Sequence, residues 1–163
     1  MPTATYDLIT SNIVSSNVTS ITFSSISTSY KDLILVIKGV AASGDFYPRL
    51  RFNGVTSSSY DWGSMHTTGA ALGGNYGNET GLQIGNNQFF DSNESICVVQ
   101  LLSYSKTSEH KTTISRIGRA ANGNETLAGR FQSNSAITEI QLYSSNGNPL
   151  TSGTRVYLYG IVA

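Results

Sequence analysis

The sequence predicts an all-β protein, an antiparallel β-sandwich of jelly-roll type, folded as a single domain over residues 1–163. Short runs of alternating apolar and polar residues recur along the whole chain, rich in β-branched and aromatic side chains that suit a pleated, half-buried surface. Clusters of Ser, Asn and Gly separate these runs and supply the turns. No window of helical length carries an apolar stripe at a 3.6-residue period, so nothing suggests a βαβ unit. Many short strands without intervening helices point to two stacked antiparallel sheets.

In chain order, the runs cover residues 6–10, 18–23, 33–40, 49–52, 60–67 and 80–84. They continue over 95–104, 112–119, 126–132, 137–143 and 155–161. The run Leu33-Ile-Leu-Val-Ile37 is apolar on both faces and reads as a central strand covered on both sides. In Thr138-Glu-Ile-Gln-Leu-Tyr143 the alternation is clean, which sends Ile140 and Leu142 to the core and Glu139 and Gln141 outward. Tyr157-Leu-Tyr159 follows the same rule. Residues 68–93 are crowded with Gly and Asn and show little periodicity, which predicts long exposed loops. Loops on a rigid scaffold are where interaction surfaces usually lie.

A chain of 163 residues buries roughly two-thirds of its unfolded surface without metal or disulfide help. Charged residues make up 12 %, half the usual ~25 %. Basic and acidic residues balance at ten each, leaving no excess of positive charge for a phosphate backbone or anionic lipid. Nucleic acid and membrane are therefore not expected partners. Near-zero net charge favours association, so the chain is expected to work inside an assembly. Cys97 is the only cysteine and sits in an apolar run, as a small buried thiol would. There is no leader pattern and no apolar run of spanning length, so synthesis in a cytoplasm is expected.

Residues for catalysis are sparse. His66 and His110 stand in no metal-ligand spacing, and serine is too abundant for any one to be informative. No G-x-S-x-G elbow, calcium loop or phosphate-binding loop is present. The expectation is a non-enzyme with no cofactor and no metal site. Aromatic residues in or beside loops remain, and exposed Tyr and Trp build protein interfaces and bind sugars. Tyr47, Tyr60, Trp62, Tyr76, Phe89 and Phe90 are candidates for an interface, with Phe89-Phe90 the favoured pair. Arg49 and Arg51 alternate with Leu50 and Phe52, share one face, and suit a carboxylate patch on a partner.

Several segments occur in a recognisable order: Tyr6-Asp-Leu-Ile9, then residues 21–35, then Leu50-Arg-Phe-Asn-Gly54 with Tyr60 after it. Residues 136–143 and the ending Val156-Tyr-Leu-Tyr-Gly-Ile161 complete the series. Together they resemble the small β-sandwich virion proteins of tailed bacteriophages, and they span about half of the chain. Members of that family occur as head decoration or cement proteins and as knob or fibre-tip modules. The resemblance implies a structural role on the virion, most simply on the head surface, after synthesis in the host cytoplasm. It implies as partners the major capsid protein and copies of the chain itself, as a homotrimer. A tail or fibre-tip module gripping host-surface glycans through Tyr60, Trp62 and Tyr76 is the alternative. No catalytic residue carries over, and residues 68–93 match nothing in the family.

Overall fold

The computed structural model describes residues 5–68, 71–86, 89–120 and 123–162, with the side chains of 68 and 71–76 outside the description. Twelve strands form two antiparallel sheets. They are β1 (Tyr6–Ile13), β2 (Ser20–Phe23), β3 (Asp32–Gly39), β4 (Pro48–Phe52), β5 (Tyr60–Thr68) and β6 (Ala71–Glu79). The series continues with β7 (Leu82–Gln83), β8 (Ser95–Leu102), β9 (Lys111–Arg119), β10 (Gly123–Phe131), β11 (Ile140–Ser144) and β12 (Arg155–Ile161). One sheet has the order β1-β12-β3-β8-β9-β10-β5-β6, the other β2-β11-β4-β7.

The strand orders define the topology. Taking β1, β2, β3, β4, β7, β8, β11 and β12 in sequence, the chain steps from one sheet to the other at every connection except β4 to β7, which are neighbours in the narrow sheet. The resulting quartets, β1-β12-β3-β8 and β2-β11-β4-β7, are those of a jelly roll. Two hairpins are inserted into that plan: β5–β6 between β4 and β7, and β9–β10 between β8 and β11. Both extend the same sheet beyond β8, making it twice as wide as its partner.

Alternation along each strand builds the core. Leu33, Leu35 and Ile37 of β3 and Cys97, Val99 and Leu101 of β8 face inward. They pack against Ile21 and Phe23 of β2, Leu50 and Phe52 of β4, and Ile140 and Leu142 of β11. Each such side chain stabilises the fold by about 1.5–3 kcal/mol relative to exposure. Asn53 and Gly54 turn the chain after β4 with positive φ. The Asn53 side chain accepts the Thr138 amide at 2.9 Å and donates to the Ala136 carbonyl at 2.8 Å. That explains the Phe-Asn-Gly segment: a left-handed turn whose Asn also ties the approach to β11.

Three expectations change here. The stretch 68–93 is not a set of loops throughout, because it contains β6 and the short β7. Ladder pairing with β5 over nine positions holds the Gly-rich β6 in place despite its weak strand propensity. Strand β3 is central, between β12 and β8, but only its inner face is covered. Ile34 and Val36 remain half-buried on the outer face, with no strand of the described residues laid across them. The third concerns the 137–143 run, whose strand begins only at Ile140.

Candidate interaction surface

The outer face of the wide sheet can be read row by row from the strand register. One row runs Leu8, Tyr159, Ile34, Gln100, Ile114 and Ala128. The next runs Tyr157, Val36, Val98, Arg116, Thr126 and Met65. Arg116 is the single charge in these two rows. An antiparallel sheet with one solvated face normally shows polar residues there. Here the solvent side is apolar instead. Tyr6, Leu8, Ile13, Met65, Ile96 and Ile114 are 42–74 % exposed, and the register puts all six on this face.

Charges collect at the margins. Lys38 pairs with Glu94 at 3.1 Å, and Arg130 pairs with Asp61, whose carboxyl is held below its usual range by that hydrogen bond. The face is also uneven. A hollow of about 360 Å³ lies over Gly63 and Ala128. Two more, about 470 and 350 Å³, meet at Ile96 and Gly118. Bulk therefore stands on the β12–β3 side and small residues on the β10–β5 side.

The aromatic residues expected at an interface divide. Tyr60 is fully buried: its hydroxyl donates to the Val55 carbonyl at 3.0 Å, and its ring stacks on Phe131 at 4.9 Å. Trp62 is also buried, its indole against Gly77, where an added Cβ would lie 2.6 Å from the ring nitrogen. Phe90 is a core residue, edge-on to Phe46 with ring centroids 6.0 Å apart. These three are corrected from surface to core, because inward positions of β5 and the Phe46–Phe90 bridge carry them under the second sheet. The Tyr76 side chain lies outside the described residues; its backbone pairs with Gly63.

Tyr47 and Phe89 do come together, rings 4.6 Å apart, at one end of the sandwich. The Arg119 guanidinium lies 4.1 Å over Phe89 and pairs with Asp91 at 2.5 Å. Arg49 and Arg51 share the outer face of the narrow sheet but are engaged within the chain. Arg49 binds Gln83 and, at 3.2 Å, Glu79; Arg51 stacks 4.1 Å over Tyr143. Both guanidiniums therefore already have partners within the chain.

His66 lies on the inner face beside Trp62 and Ser64, opposite Glu125, while His110 is exposed in a turn. Cys97 is buried, and burial together with the nearby Glu125 charge pushes its thiol far up. Among the described residues no three His, Cys, Asp or Glu side chains are grouped to hold a metal ion. The apolar outer face was present in the sequence as the two-sided apolar character of residues 33–37, but its extent across neighbouring strands depends on register. The chain matches no family model, and no curated protein matches it.

Proposed function

We propose that this chain is a virion structural protein, a decoration or cement protein of a phage head that acts through protein–protein contact with the capsid and with copies of itself. The reading rests on the family resemblance for its virion setting and on the uncovered apolar face for its mode of action. A monomer free in water gains nothing from Leu8, Ile34, Ile114 and Met65 on the solvent side of one sheet. Inside an assembly the same side chains are buried at little desolvation cost, because the two central rows hold only one charge. Many copies of such a module add binding energy by avidity, which suits reinforcement of a pressurised shell. The fibre-tip alternative loses two of its three aromatic contacts, since Tyr60 and Trp62 are core residues.

Counting copies per particle by quantitative mass spectrometry tests the reading, together with heat and osmotic challenge of particles lacking the protein. Copies in the hundreds and particles that lose resistance are the expected results. A copy number matching a tail, or deletion particles as resistant as the parent, would overturn it.

A further inference from the structure

We infer that the outer face of the eight-stranded sheet is a self-complementary surface on which a second copy of this chain packs, face to face, about a two-fold axis. The inference rests on the virion reading and names the occupant of that face, with a two-fold pair in place of the homotrimer that the resemblance implies. Its first support is shape. An axis running parallel to the strands, between β8 and β9, lays β12 and β3 of one copy over β5 and β10 of the other.

Row by row, Tyr159 then faces Gly63 and Ile34 faces Ala128, so the bulky side fills the hollow over those small residues. Ile96 faces Gly118 at the second hollow. Tyr157 faces Met65, a ring against a flexible thioether. A two-fold relation makes every such contact occur twice.

Charge is the second support. Lys38 meets Asn124, Arg155 meets Thr67, and Asp32 meets Arg130, so the only like charges brought together are the two copies of Arg116 that flank the axis. Arg116 faces Val98, one row from Gln100, whose amide oxygen can accept from the guanidinium. Area is the third. Eight strands ~4.8 Å apart, with four outward positions each at ~6.8 Å, give a face on the order of 1,000 Å². A stable pair buries about 800 Å² per partner. Stacked sheets of this kind align within roughly 30°, as the proposed axis allows.

The test is the mass of the purified chain in solution by sedimentation or light scattering. Twice the 17.4 kDa chain mass is expected. Met65→Glu and Ile114→Glu change exposed side chains on this face and should weaken the pair at least ~10-fold while keeping the strand signal and a cooperative melt. Gln141→Glu, on the narrow sheet, should leave the mass doubled. A monomeric parent protein, a trimer, or a Met65→Glu variant that stays fully paired would overturn the inference. A trimer or a monomer that still binds capsids leaves the virion reading standing and removes only the two-fold pair; a dimer absent from virions does the reverse.

Discussion

Asp91 shows how single residues fix one end of the sandwich. Burial pushes its carboxyl up, but hydrogen bonds from Arg119 and the Asn93 amide, with the Arg119 charge, outweigh that and leave it below its usual range. A carboxyl whose folded value is depressed contributes stability above its unfolded pKa near ~4 and loses it as pH falls through the folded value. Asp91→Asn should therefore cost about 1–3 kcal/mol at neutral pH, because Arg119 is left without its anion in a largely buried site. The variant's melting temperature should also fall less steeply than the parent's on acidification below about pH 4. Thermal melts of both proteins from neutral pH to pH 3 check this, and parallel acid curves would contradict it. Nothing in the local sequence joins Asp91 to Arg119, 28 residues apart. Cys97 is the opposite case: its apolar run already said that the thiol is buried.

Among the elements, β3 carries the sharpest contrast between its two faces. Leu35 is buried under the narrow sheet, whereas Ile34 and Val36 look outward. Leu35→Ala should cost about 2–5 kcal/mol, and Ile34→Thr or Val36→Thr under about 1 kcal/mol, in urea unfolding of the Met65→Glu background. That background weakens pairing, so at low protein concentration the comparison reads only the chain's own packing. Equal losses at all three positions would mean that both faces of β3 are core. The strands with strong alternation were all legible in the sequence, because period-two burial is written residue by residue. Strand β6 was not. Its Gly and Asn residues have little intrinsic preference for a strand, and its order comes from the ladder with β5. Trp62 misled for a related reason: beside polar loops it resembles a surface aromatic, yet its parity along β5 is inward.

For the whole molecule, the consequence of two hairpins joining one sheet is an imbalance of area. Four strands cover part of one face of eight, and the opposite face carries two largely apolar rows from β1 to β5. If copies pair across it, folding and association are linked, and the melting temperature must rise with protein concentration. Scanning calorimetry across a hundredfold concentration range should show this rise for the parent protein and a constant value for Met65→Glu. A concentration-independent melt in the parent would count against pairing. Acid and heat would then act together on the assembly, since the Asp91–Arg119 contact lies beside β9, one of the two strands flanking the proposed axis.

By itself the sequence determined the fold class, most strand positions, the buried thiol and the low content of charge, because alternation and composition are local properties of the chain. Only the tertiary structure decided which strands are neighbours, that both hairpins join the sheet at β8, and that Tyr60, Trp62 and Phe90 turn inward. It also decided which of the two apolar faces of residues 33–37 the chain covers for itself. The physical reason is the same in each case: strand pairing joins residues far apart in sequence, and a strand's pattern states how many faces are apolar but not what lies against them.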